Sequence, residues 1–312
     1  MIMFDSLLKL LRLKKIRHKY FFFMIVLSIP ALFVLGFISH QIAKQNLIDN
    51  QRAAIHDHLA TSSRTFDLLL RDVVNLERLI SWNSDIQREL ISSTNEYDDK
   101  KIGNDTAQRM KNILANYLIN PQYVDSVCLF DKQFRSVCYG NARSIGIYDK
   151  NESYTGIEYT DWYSKTLEAN GKEVTLGQNI LTDAQSSNTF SLVKLVKDSS
   201  DLFNPQEIGL LVINVKKTMF EKMFKEDDLD NFMVLYSKDQ VVDVVNNTNI
   251  NPSVYKSIHT DYESSIERLE RDGYLVSSYK NGNTGWLFVH AIEKEELLKQ
   301  KMEIYYQLQK VN

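Results

Sequence analysis

The chain opens with a hydrophobic block and continues in a different rhythm. Residues 20 to 38, "YFFFMIVLSIPALFVLGFI", run 19 positions without a charge. At 1.5 Å rise per residue a helix of that length reaches roughly 28 Å, close to the hydrocarbon thickness of a bilayer. Pro30 disrupts a soluble helix but is tolerated in a transmembrane one. From Phe37 to Ile102 there is neither Gly nor Pro. Within that stretch Ile48, Ile55, Leu59, Phe66, Leu69, Val73, Leu76 and Ile80 recur at steps of three, four and seven. This stripe predicts one long helix from residue 40 to about Trp82, roughly 60 Å of it, leaving the membrane span without a break. A stripe this narrow needs cover from a sheet and, on this reading, from the same helix of a second copy.

The period then shortens. "NSD" at 83 to 85 reads as a break and a new cap. A second helix is expected over about 105 to 119, with Met110, Ile113, Leu114, Tyr117 and Leu118 on one face and Pro121 ending it. "YVDSVCLF" and "FRSVCYG" predict a hairpin turning near Asp131 to Gln133. "TFSLVKLV" (189–196) and "IGLLVINV" (208–215) predict a second strand pair. Between the pairs lies "EYTDWYSKTLEANGK", a short helix with Thr160 as its N-cap, Asp161 in its first turn and Gly171 as its stop. A smaller version of the pattern follows. "FMVLY" and "QVVDVV" flank a "SKD" turn, Asn251-Pro252 begins a helix, and "GYLVSSY" and "GWLFVHA" flank the Asn-Gly turn of "KNGNT". The expected class is α+β: a transmembrane helix, a long helix and two PAS-like antiparallel-sheet subdomains. The expected divisions are a basic tail (1–19), the span (20–39), the long helix with a membrane-distal domain (40–220), a smaller membrane-proximal domain (221–292) and a helix leading back toward the membrane (293–312).

Charge sets the orientation. Lys9, Arg12, Lys14, Lys15, Arg17 and Lys19 precede the apolar run, whereas Lys44 is balanced by Asp49 after it. The positive-inside rule places the N-terminus in the cytoplasm and residues 40 to 312 outside, anchored in the plasma membrane; "FISHQ" offers no clear cleavage site for a signal peptide. The net charge of −3 on 312 residues carries no basic stripe, which argues against a nucleic-acid partner. The two cysteines, Cys128 and Cys138, face each other across the first hairpin. Either a cross-strand disulfide or two buried thiols satisfies that placement. No metal-ligand spacing involves them, and His56 and His58, two apart on a helix, point away from each other onto a solvated face. "KEDDLD" at 225 to 230 reads as a solvated connector, and Trp286 as a packing residue.

Taken in order, "SIPALFVLG", "SWNSDIQREL", "VDSVCLFD", "DWYSKTLEANGKEV", "SLVKLVKDSSD", "IGLLVINVKKTMFEKMF" and "NTGWLFVHAIEKEELL" resemble the N-terminal half of YesM-type sensor histidine kinases, whose extracellular part is a double Cache domain. Membrane-anchored AraC-type regulators carry similar halves. The resemblance implies a ligand-sensing input module of a transmembrane receptor. The chain holds no phosphoacceptor motif, no phosphate-cradling glycine run and no paired catalytic carboxylates, so no enzymatic activity and no cofactor is expected of it. An anchored solute-binding or co-sensor protein serving a transporter is the alternative.

In amine- and amino-acid-binding relatives an Arg stands two residues before a Trp-Tyr pair. Here Trp162 and Tyr163 match the pair, but Thr160 stands at the Arg, Leu181 at a Tyr and Asn214 at an aspartate. Those departures remove the charged anchors for an amino acid. The remaining candidates, Trp162, Tyr163, Asp183, Gln185, Asn188 and Asn214, suit a neutral polar solute such as a sugar, with core packing as the competing role for the aromatics. A homodimer through the long helix is expected.

Overall fold

The computed structural model describes residues 16–95, 100–119, 122–150, 152–182, 188–201, 203–223, 231–238, 240–246 and 261–295, with 297 and 299. Residues 1–54 and 55–312 form two compact units. The first is helical throughout its described length, and it contains a segment long and apolar enough to cross a membrane whose side chains are all solvent-exposed. That helix, α1 (Ile16–Ser81), continues unbroken into the second unit.

In the second unit the helical stripe is buried. Ile55, Leu59, Phe66, Val73 and Ile80 are each at most 4% exposed, because the chain's own sheets cover them. The cover expected from a sheet is present, and Leu69 and Leu76 of the same stripe are half-buried. The face left outward carries Leu68 and Leu79 instead. Asn83 ends the run by capping α2 (Ser84–Thr94), its side-chain oxygen accepting from the Asp85 and Ile86 amides. Helix α3 (Asn104–Tyr117) stops at a Leu118 cap, earlier than Pro121 would impose.

Two antiparallel sheets follow. The first has the order β2-β1-β5-β4-β3, built from β1 (Val124–Asp131), β2 (Ser136–Gly140), β3 (Val174–Leu176), β4 (Thr189–Lys197) and β5 (Glu207–Lys216). A four-residue helix, α4 (Ala142–Ile145), and the aromatic-headed helix α5 (Asp161–Ala169) lie between β2 and β3 in sequence. The second sheet, β7-β6-β9-β8, contains β6 (Asn231–Ser237), β7 (Gln240–Asn246), β8 (Tyr274–Lys280) and β9 (Leu287–Glu293). Helix α6 (Thr218–Glu221) leads toward it and α7 (Tyr262–Arg271) precedes β8. The helix expected at Asn251-Pro252, the 225–230 connector and nearly all of the C-terminal helix lie outside the described residues.

Alternation along β1, β4 and β5 divides the first sheet's faces. Cys128, Phe130, Val193, Leu195, Leu210 and Val212 share one face and pack against Ile145, Ile157, Leu181, Tyr148 and Tyr154. The other face meets α1 and α2, where Phe190 stacks on Phe220, and Phe66 and Trp286 complete the cluster at ring distances of 5.4 to 6.2 Å. Phe288 joins it from β9. Long helix, first sheet and second sheet thus share one aromatic core, and Trp286 is the packing residue expected of it. The turn before Trp286 is fixed to α1: Asn281 donates to Ser63 Oγ and Asp67 Oδ1, while its own oxygen accepts from the Asn283 and Thr284 amides.

Cys128 and Cys138 are direct cross-strand partners and are joined by a disulfide. At the end of that hairpin Asp131 and Arg135 form an ion pair with both side chains fully buried. Asp131 also accepts from the Gln133 and Arg135 amides and from Ser93 Oγ, and Arg135 donates to the Ser93 carbonyl. An ion pair this deep is tolerable because nearly every lone pair and N–H around it has a partner. It ties α2 to the hairpin turn. Of the two histidines, His56 is exposed as expected and His58 is not. His56 is exposed and meets the edge of Tyr279, whereas His58 faces His290 on β9, with ring centroids 6.3 Å apart.

Candidate functional site

Helix α5 is short, and its ends are set by backbone chemistry. Thr160 occupies the N-cap position in extended conformation, but its hydroxyl donates to the Ile157 carbonyl and caps no helix amide. Asp161 supplies the first-turn acid, held by Lys165 one turn on. The Lys165 ammonium, which donates to it, and then Lys238 keep the Asp161 carboxyl below its ordinary range. At the other end Asn170 and Gly171 both take positive φ, 52° and 88°, and reverse the chain.

Trp162 and Tyr163, adjacent on this helix, point in different directions, and their rings meet edge to face at 6.2 Å and 84°. Each is half-buried, with one side packed on the apolar face of the first sheet. Phe134, itself at a positive φ of 56° in the β1–β2 turn, meets Tyr163 edge-on at 5.4 Å. Burial raises the Tyr163 phenol above its ordinary value, and the charges of Glu207 and Glu158 add to the shift.

The two rings line two different clefts. The Tyr163 side opens on a cleft of about 520 Å³ whose other walls include Phe134, Asn170, Lys197, Gln206 and Glu207. The Trp162 side opens on a larger groove of about 1060 Å³ between the first sheet and the second. Thr175, Gln178 and Ile180 line it from the first sheet's side; Ser237, Gln240, Lys280 and Thr284 line it from the second. At its floor Gly177 brings the two sheets together. A Cβ there would stand 2.7 Å from a Val242 methyl and 2.9 Å from Ser237 Cβ. Both aromatics accordingly combine two roles, packing on the core with one side and walling a cleft with the other.

The remaining sequence candidates fall elsewhere. Asp183 and Gln185 lie outside the described residues. Asn188 is exposed, and its carbonyl accepts the Lys217 amide. Asn214 is fully buried, and its amide is consumed internally. It donates to Ser126 Oγ at 2.9 Å and to the Ser144 carbonyl at 3.0 Å, and it accepts from Ser191 Oγ at 2.8 Å. The aspartate-to-asparagine departure read from sequence therefore fastens α4 to the sheet and leaves no donor for a ligand. Asn179 extends the same network to Thr189 and the Ser144 carbonyl. The groove's polar lining was missed in the sequence. Its one legible signal is the placement of Gln178, Gln240, Lys280 and Thr284 beside strand ends and turns, where side chains from separate segments converge.

No protein-family model matches the chain, and no curated protein matches it. Solved structures do. The sensor domain of the Vibrio cholerae histidine kinase DctB superimposes with a TM-score of 0.52 at 11% identity, over 80% of this chain and 98% of that one. A domain assigned to the extracellular side of the histidine kinase vpHK1S-Z8 gives 0.53 at 13%, over 82% and 96%. The ligand-binding domain of the Pseudomonas fluorescens chemoreceptor CtaA, in complex with L-isoleucine, gives 0.51 at 10%, over 85% and 99%. The chain shares the fold of these domains. These identities establish architecture alone, the order of a long helix, a five-stranded sheet and a second four-stranded sheet.

Proposed function

We propose that this chain is the extracellular ligand-sensing input module of a single-pass membrane receptor, with its N-terminus cytoplasmic. What supports this reading is the Cache-like fold joined to a helix apolar enough to span a bilayer, with basic residues preceding that helix. The ligand is a small neutral, hydroxylated solute such as a sugar, held in the groove walled by Trp162. The carrying observation is the lining of that groove: the indoles of Trp162 and Trp286 with the amides and hydroxyls of Thr175, Gln178, Gln240 and Thr284 among them, and the charges of Lys165, Lys238 and Lys280 set against those of Asp161 and Glu168. Because the groove lies between two sheets, a ligand that binds one sheet spacing better than another shifts the balance between them. The module works as a homodimer through the outward face of α1 carrying Leu68 and Leu79.

Thermal-shift screening of the full chain in nanodiscs against sugars, polyols and amino acids tests the reading. One or more neutral hydroxylated compounds should raise the melting temperature, and Trp162→Ala should abolish the response. Flat melting temperatures across the set would sink it. Sedimentation of the detergent-solubilised chain tests the dimer, and Leu68→Glu with Leu79→Glu should yield monomers.

A further inference from the structure

A third cleft, of about 370 Å³, lies at the free edge of β4 beyond the point where β3 stops pairing with it. Its walls are the end of α1 with Arg78 and Trp82, β4 with Lys194 and Lys197, and the Asn170–Gly171 reversal that ends α5. Lys194 breaks the apolar run of β4, and it is only 8% exposed. It makes no hydrogen bond and no ion pair with any described residue, although the cleft reaches it. Burying a cation with no partner costs several kcal/mol, so such groups are normally paired or coordinate an ion.

Two acids stand near that charge, Glu77 and Asp198. Glu77, one turn before the end of α1, feels Lys194 but does not pair with it. Burial raises the Glu77 carboxyl to about 8 and so favours its neutral form. Asp198, whose carboxylate accepts from the Ser200 amide, also lines the cleft, so three cations, Arg78, Lys194 and Lys197, face one carboxylate there. Lys197 donates to Asn170 Oδ1 at 2.5 Å. The cations are not required to cap α1 either. The Arg78 carbonyl accepts from the Trp82 amide and Ser81 Oγ, the Ile80 carbonyl from the Asn83 amide, and the Ser81 carbonyl from Gln87 Nε2.

We propose that this cleft is a second ligand site, one that takes a small oxyanion, either a carboxylate or a phosphate group. Lys194 and Arg78 hold its charge from opposite walls, and the exposed Trp82 ring covers its organic part. The anion bridges the end of the long helix to the edge of the sheet, beside the turn that ends α5. It is chemically and spatially distinct from the neutral-solute groove, so it acts as a co-ligand that stiffens the junction of α1 with the first sheet.

The test is a titration of the full chain in nanodiscs at pH 7 with sodium phosphate and, separately, sodium succinate, at ionic strength held constant with sodium chloride. A rise of several degrees in melting temperature is expected with at least one of the two, and the comparison assigns the oxyanion type. Lys194→Met keeps the stem volume and should abolish the rise. Arg78→Gln, at an exposed helix position, should weaken apparent affinity at least tenfold. Trp162→Ala should leave the anion response intact, so a failure of the sugar-site reading does not carry over. The proposal is overturned if neither anion exceeds the chloride control, or if Lys194→Met or Arg78→Gln responds as the wild type does.

Discussion

Replacing Glu77 by Gln changes one atom in the most deeply buried acid of α1. In the folded chain burial lifts this carboxyl from 4.5 to about 8, with Lys194 pulling the other way and Glu173 adding to the rise. An unfolded chain releases the proton near 4.5, so from there to about 8 the unfolded state alone ionises, and wild-type stability falls as pH rises. Above about 8 both states are ionised and the loss levels off. At 1.36 kcal/mol per pKa unit, the rise from 4.5 to about 8 costs roughly 4–5 kcal/mol at high pH and roughly 3 kcal/mol at pH 7. Glutamine does not titrate. Glu77→Gln should therefore be more stable than wild type, by about 1 kcal/mol at pH 5 and about 3 kcal/mol at pH 7. Urea unfolding followed by tryptophan fluorescence at the two pH values measures the gap. A gap that stays constant or narrows from pH 5 to pH 7 would refute the buried neutral carboxyl.

Three further substitutions probe features of the first sheet. Arg135→Ala strands Asp131 as a buried, unpaired carboxylate and should cost about 3–5 kcal/mol in urea unfolding; a loss under 1 kcal/mol would contradict the pair's burial. Gly209→Ala drives a Cβ to within 2.2 Å of the Phe130 carbonyl oxygen, so the strand must move and the loss should reach about 3 kcal/mol, read as a lowered urea midpoint. Asn214→Ala removes the partner of Ser126 and Ser191 and should cost about 2–3 kcal/mol. Below its melting temperature that variant should bind the neutral solute as tightly as wild type by calorimetry, since Asn214 is fully buried and lines none of the three clefts described.

Much of the architecture is written in the periodicity. The steps of the α1 stripe and the change to strand rhythm near residue 124 place nearly every element, because burial on one face imposes its period on the sequence. What covers that face is a tertiary matter. Ile55, Phe66 and Ile80 read the same whether a sheet or a second helix packs on them, and the sheet wins here. The site was partly legible: Trp162 and Tyr163 stood out as a pair, but that they line separate clefts follows from the direction of each side chain on α5. Asn214 illustrates the opposite error. It was singled out as the residue at the relatives' aspartate position, yet its partners come from β1, β4 and α4, segments that no local pattern brings together. Lys194 and Glu77 were visible as charges at apolar positions, in "SLVKLV" and between Val73 and Ile80, and that mismatch was the available signal.

The rings of Phe66, Phe190, Phe220, Trp286 and Phe288 interlock like gear teeth across the long helix and both sheets. Sliding Phe66 along the rod by even half a turn would drag its neighbours out of their stacks on both sides at once. Any shift of either sheet against the rod must therefore be absorbed at Phe66, whose ring touches Phe220, Trp286 and Phe288 together.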